Sequence, residues 1–190
     1  GNVGGSYLYL FRPLVARRLG RSLGVDLIPA KSCSINCLFC QLGPTESPTL
    51  ERREYVPTEA VIAELQAWIH AGGETDYVTL AGSGEPTLHL HFDRVLDFLD
   101  TSPFRSALLS NGTLFTDRTV REGATRADVV KLSLSAWDRE SFERIHRPHP
   151  ALDFESMMEG YRDFRSIYRG GLWLEVFVVP GLNSGEEQMK

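Results

Sequence analysis

Apolar residues along this chain switch repeatedly between two patterns. Short aliphatic runs at residues 25–29, 77–81, 106–109, 129–134 and 172–179 read as strands. Helical spacing separates them. Val61, Ile62, Leu65, Trp68 and Ile69 fall on one helix face, with Thr58 as the expected N-cap and Gly72-Gly73 as the stop. Phe92, Val95, Leu96 and Leu99 mark a second helix closed by Ser102-Pro103, and a short third one is expected over residues 117–122. Phe154, Met157, Met158, Tyr161, Phe164 and Tyr168 make the stripe of a fourth, with Asp153 as its cap, and such stripes are read as core. Residues 1–24 read as an irregular, glycine-spotted lead-in with an edge strand at 7–11, and the prolines at 44, 48 and 57 make 41–57 extended loop.

Alternating strands and helices predict a parallel sheet with right-handed crossovers. The expected fold class is α/β, a partial (βα) barrel of about five units with the sixth missing, and residues 25–190 form its core behind the 1–24 lead-in. In such a barrel the chemistry sits in the loops after the strands. Each conspicuous polar motif here follows a strand: the cysteine segment, Gly82-Ser83-Gly84-Glu85-Pro86-Thr87, Ser110-Asn111-Gly112-Thr113, Ser133 with Ser135, and Pro180-Gly181-Leu182-Asn183. They are expected to meet on one rim.

Composition changes this picture little. With 42% hydrophobic and 24% charged residues, the chain has the balance of a globular domain, which excludes wholesale disorder. No apolar run approaches membrane-spanning length, no signal peptide opens the chain, and clustered cysteines suit a reducing interior, so a cytoplasmic location is expected. The formal net charge is −5, yet residues 1–45 hold Arg12, Arg17, Arg18, Arg21 and Lys31 against Asp26 alone. That basic end suits an anionic ligand or RNA, or is simply a solvated basic arm.

All three cysteines lie in Cys33-Ser34-Ile35-Asn36-Cys37-Leu38-Phe39-Cys40. Three soft thiolates on one short segment can hold an iron–sulfur cluster, and zinc and free thiols remain open on the spacing alone. Zinc usually closes four ligands as two separated pairs, and neither a second pair nor a suitably spaced histidine accompanies these three. Glycines at 82 and 84 allow a backbone to approach a ligand closely, although a plain turn has the same composition. Ser110-Asn111-Gly112 reads as a turn, and Ser133 as a small inward residue with a hydroxyl to offer. His146-Arg147-Pro148-His149-Pro150 must be a loop, either an anion anchor or a surface turn.

The C-x-x-x-C-x-x-C spacing, with the aromatic Phe39 before its last cysteine, resembles the signature of the radical S-adenosylmethionine (SAM) enzymes. The resemblance implies a [4Fe–4S] cluster on Cys33, Cys37 and Cys40, whose fourth iron chelates the amino and carboxylate groups of SAM. It implies that Gly82-Ser83-Gly84-Glu85-Pro86 is similar to that family's Gly-Gly-Glu-Pro segment, with serine replacing one glycine and Glu85 accepting from the SAM ammonium. Phe39, Ser110, Asn111 and Ser133 join this cofactor-binding set, Ser133 near the ribose or carboxylate, while Val178 and Val179 are either adenine contacts or plain core.

The implied chemistry is one-electron cleavage of SAM to a 5′-deoxyadenosyl radical that abstracts a substrate hydrogen, fed by a donor of the flavodoxin or ferredoxin type. No catalytic side chain is singled out. Within the superfamily, residues 17–29, Cys40-Gln41-Leu42-Gly43, residues 82–88 and Arg147-Pro148-His149-Pro150 resemble the small Fe–S oxidoreductases related to the wyosine (tRNA-imidazoguanine) synthases. This implies a nucleotide or tRNA substrate. The further N-terminal cysteines of those synthases are absent, however, and their barrel has six βα units. An activating enzyme for a glycyl-radical protein, a zinc-binding non-catalytic module, and a degenerate fragment that binds a cluster without turnover are the competing readings.

Overall fold

The computed structural model describes residues 7–16, 19–28, 51–134 and 154–176. Among these residues six strands form one sheet in sequential order: β1 (Leu10–Ala16), β2 (Gly20–Val25), β3 (Tyr77–Leu80), β4 (Arg105–Ser110), β5 (Val129–Leu134) and β6 (Gly171–Val176). Strands β2 to β6 are all parallel, as the alternation predicts, and β1 alone runs antiparallel against β2. The crossovers carry helices α1 (Thr58–His70), α2 (Phe92–Asp100), α3 (Arg118–Ala124) and α4 (Phe154–Ile167). This is a partial (βα) barrel of five parallel strands.

Two expectations are corrected. Where it is described, the lead-in is not irregular: β1 and β2 pair antiparallel within the sheet, and the first parallel strand ends at Val25 rather than beginning there. Its pairing register shifts between Phe11 and Leu14, and Gly24 makes room for the Phe11 ring, which lies 2.2 Å from where a Cβ would stand. Thr58 is the first helical residue, and Pro57 occupies the cap with φ −64°. Proline has no N–H and no side-chain acceptor to offer, so Glu54 accepts from the Thr58 amide instead, at 3.2 Å. The short third helix begins at Arg118, and Asp117 caps it by accepting from the Thr119 amide. Asp153 lies outside the described residues.

Side chains alternate across a strand, so the sheet has two different faces. Leu23, Val25, Val78, Leu80, Leu108, Val130 and Leu132 face the helices and join Val61, Leu65, Trp68, Val95, Leu96, Leu99 and Phe164 in the main core. The other face carries a small apolar cluster of Leu19, Ala107 and Val129, flanked by Tyr77, Leu109 and Trp173. Further along the same face the residues turn polar, with Lys131 and Ser133 following Val129 on β5. That face is the inner wall of the barrel. Among the described residues no helix is long and apolar enough to cross a membrane.

Helix α4 is anchored by aromatic rings. Phe164 is fully buried, meets Phe115 edge-on at 4.9 Å and stacks on Tyr168 at 4.7 Å. Phe164→Ala is expected to lower unfolding free energy by about 3–5 kcal/mol through lost burial and the remaining cavity. Urea denaturation checks this; a loss under about 1 kcal/mol would mean the site collapses without α4.

Candidate functional site

The rim begins where β2 stops. Asp26, the residue after Val25, accepts from the Ser83 hydroxyl at 2.6 Å, from the Ser83 amide at 3.3 Å and from the Ile28 amide at 3.2 Å. It thus ties the end of β2 to the loop that leaves β3. Gly82 has φ +127°, a conformation side-chain-bearing residues rarely adopt, and a Cβ there would stand 2.8 Å from Asp26 Cγ. Glycine is required at this point on both counts.

Glu85 ties that loop to the next one. Its carboxylate is buried, at 3% exposure. Oε2 accepts from the Thr87 amide at 3.1 Å, from the Thr87 hydroxyl, and from the Ser110 hydroxyl at 2.8 Å. Oε1 accepts from the Asn111 amide at 2.8 Å. The bond to the Thr87 amide caps a 3-10 turn over Pro86–Leu88. Within the chain these bonds tie the loop after β3 to the loop after β4.

A third strand end is drawn in from behind. The Tyr161 hydroxyl, on α4, donates to the Asn111 carbonyl at 3.2 Å and lies 3.4 Å from the Ser133 carbonyl at the end of β5. Burial pushes this phenol well above its ordinary range, with Glu85 adding to the effect. It remains a neutral donor. Gly112, at φ +76°, leaves the space, since a Cβ there would come within 1.8 Å of the Tyr161 oxygen. The Asn111 side chain accepts from the Thr113 amide and hydroxyl, which completes the turn.

These loops rim a cavity of about 460 Å³ lined by Gly82, Ser83, Gly84, Glu85, Pro86, Ser110, Asn111 and Ser133, with Phe11 and Leu109 as apolar wall. All described members of the expected cofactor set therefore meet at one site. Deeper on the inner wall, Lys131 Nζ lies 2.6 Å from Glu175 Oε2, and both residues line the cavity. A second cavity of about 320 Å³ flanks Gly82 and Ser83 on the side of Tyr9, Phe11 and Asp26.

Arg52 and Arg53 pin the segment before α1 to the same region. Arg52 donates to the carbonyls of Thr87 and His89 at 2.9 and 3.1 Å, and Arg53 exchanges backbone bonds with Leu88 and Leu90. His89 is buried, with Nε2 2.8 Å from the Val56 carbonyl and Nδ1 accepting from the His91 amide at 3.0 Å, so both ring nitrogens are engaged in holding the turn; burial depresses its pKa. Cys33, Cys37, Cys40 and Phe39 lie outside the described residues, as do Ser135, the 146–150 loop, Val178, Val179 and the 180–183 motif. Among the described residues no three His, Cys, Asp or Glu side chains cluster in a way that would hold a metal.

Sequence reasoning missed Asp26, Tyr161, Lys131 and Glu175 as members of this site. Lys131 and Glu175 did leave a signal, each being a charge inside an otherwise apolar strand.

Comparison with known proteins agrees with this geometry. The chain is 35% identical over 181 residues to a Brachyspira hyodysenteriae protein named GTPase Obg, a match covering 95% of this chain and 27% of that protein. It is 35% identical over 187 residues to a Helicobacter pylori UPF0026 protein, covering 95% of this chain and 59% of the relative. The chain thus spans less than two thirds of either protein. Among solved structures, TYW1 with a lysine-pyruvate adduct bound superposes with TM-score 0.65 at 21% identity, over 88% of this chain and 59% of that one. Streptococcus suis SuiB bound to S-adenosylmethionine superposes with TM-score 0.62 at 18% identity, over 87% and 36%. These likenesses are in fold. Residues 27–189 match the family described as the Radical SAM superfamily, a family that implies SAM and an iron–sulfur cluster, and the chain belongs to it.

Proposed function

We propose that the chain holds a [4Fe–4S] cluster on Cys33, Cys37 and Cys40 and binds SAM in the cavity rimmed by Gly82-Ser83-Gly84-Glu85-Pro86, Ser110, Asn111 and Ser133. The observation that carries this reading is the way Glu85, Asp26 and Tyr161 bind four strand ends into one preformed cradle. The donor set fits the cluster, since three thiolates suit iron and sulfide and leave one iron without a protein ligand. The cavity fits SAM in size and in its small-residue lining, where backbone rather than side chain forms the nearest wall. When bound, the cluster and SAM together supply one-electron reductive cleavage and hydrogen abstraction from a substrate, as an oxidoreductase or lyase fed by a flavodoxin- or ferredoxin-type donor.

This chain's residues bind and orient. Gly82 and Gly84 admit the ligand against the backbone, and Ser133 lines the cavity. Ser83 and Ser110 are committed to Asp26 and Glu85, so they shape the wall rather than offer free hydroxyls. Leu109 and Phe11 keep water from the reacting region. The expected nucleotide or tRNA substrate on the basic N-terminal segment gains no support from Arg12. Its guanidinium donates to the Glu74 carbonyl and lies 5.6 Å over the Trp68 ring, a structural placement.

Anaerobic reconstitution is the direct test. The parent is expected to take up one cluster by iron and sulfide analysis and electron paramagnetic resonance, and Cys33→Ala, Cys37→Ala and Cys40→Ala are each expected to abolish it. Stoichiometric zinc without iron in strictly anaerobic preparations would overturn the reading. With a strong reductant the loaded parent is expected to yield 5′-deoxyadenosine from SAM. Glu85→Ala, which leaves donors of two loops unpaired, is expected to weaken SAM binding by about 1.5–3 kcal/mol through loss of the cradle.

Glu85 also predicts a pH dependence. Burial raises its carboxyl pKa, with the bonds from Thr87, Asn111 and Ser110 only partly opposing. A carboxyl raised in the folded state holds its proton more tightly there than in the unfolded chain. Its stabilisation is full below the unfolded value of about 4.3 and is lost as pH rises through the folded value. Unfolding free energy is therefore expected to fall with rising pH across that window, and Glu85→Gln to flatten this component. A parent profile that rises through the window and is copied by Glu85→Gln would refute it.

A further inference from the structure

We propose that Lys131 and Glu175 form a two-pole substrate subsite on the inner wall, one that takes the ammonium and carboxylate of an α-amino-acid head group. This rests on the cofactor site proposed above and names the chemistry of the second ligand. Lys131 is on β5 and Glu175 on β6, and in the register Lys131 stands opposite Trp173 while Ser133 stands opposite Glu175. The ion pair therefore runs diagonally between the strands. Below it lies the apolar cluster of Leu19, Ala107 and Val129, and above it lies the rim. It sits between the floor and the cofactor loops, where a substrate would rest.

The pair is not needed to hold the strands, because β5 and β6 already match over six residue pairs. Partly desolvated ion pairs contribute little to stability, since the loss of hydration offsets the attraction. Yet these two charges stand in a cavity whose other carboxylate, Glu85, is spent on the loops. The Lys131 and Glu175 side chains keep 21% and 37% exposure. An ammonium has three donors and a carboxylate several acceptor positions, and their 2.6 Å contact uses one of each.

Charge selects the ligand. A lone anion at Lys131 would be repelled by Glu175, a lone cation at Glu175 would be repelled by Lys131, and an apolar group would strand both. A group carrying both signs side by side lays its carboxylate on Lys131 and its ammonium on Glu175, which gives an alternating cluster of four charges. SAM has such a head group too, so the test must separate the two sources.

Calorimetric titration of cluster-reconstituted, SAM-saturated protein with L-alanine, acetate and methylammonium reads the subsite directly. L-Alanine is expected to bind at least about tenfold more tightly than either single-charge probe, because each of those leaves one pole unpaired. K131M and E175Q are each expected to weaken L-alanine by about tenfold or more, and the exchange K131E/E175K, which keeps both poles, to restore most of the affinity. Equal binding of the three probes, or full L-alanine affinity in E175Q, overturns the proposal. Loss of SAM affinity in K131M assigns the pair to SAM's own head group and overturns it as well. If K131M does not fold, E175Q and the exchange decide. If the parent takes up neither cluster nor SAM, the function proposed above fails, while titration of L-alanine into that same protein still decides the subsite.

Discussion

A buried carboxylate sets the terms for everything at the rim. Glu85 has almost no contact with water, and a charge or polar group placed there is costly unless donors surround it. The donors come from two places in the sequence, Thr87 on its own turn and Ser110 with Asn111 after β4. Satisfying one side chain therefore fixes the conformation of two loops and their separation. Tyr161 extends the constraint to the end of β5, and Asp26 to the end of β2. The cradle is rigid because its loops are bonded to one another rather than only to their own strands.

The sheet beneath explains why chemistry collects on one side. Its helix-covered face is mainly aliphatic, as parallel strands buried under helices are, and the buried Ser106 beside Val78 is satisfied by Asp128. On the inner face the same alternation produces a gradient along β5: Val129 in the floor cluster, then Lys131, then Ser133 at the rim. A ligand entering from the rim meets glycine backbone first, hydroxyl next and paired charge last.

Much of this was legible in the chain. Strands β3 to β6 and their helices are visible because parallel strands read as short aliphatic runs and amphipathic helices as spaced ones. The rim loops were legible through glycine, asparagine and proline chemistry. The hairpin of β1 and β2 was not, because its register shift and the glycines at 20 and 24 break the period that identifies a strand. In the sequence Asp26 reads as a strand residue and a charge, not as a site residue; its role depends on Gly82 and Ser83 lying beside it, a proximity created by the parallel pairing of β2 with β3. Tyr161 fits the apolar stripe of α4, and only its hydroxyl, reaching past the core to Asn111, distinguishes it from a packing residue.

The position of Asp26 has a thermodynamic consequence. Its carboxylate belongs to the end of β2, yet it holds Ser83 in the loop that leaves β3. A joint bonded across two strand ends cannot loosen at one of them alone. A change that disturbs the end of β2 is therefore felt at Ser83, and by reciprocity a change at Ser83 is felt equally at Asp26. The joint makes the end of β2 and the loop after β3 one unit, with the positive φ of Gly82 at its bend.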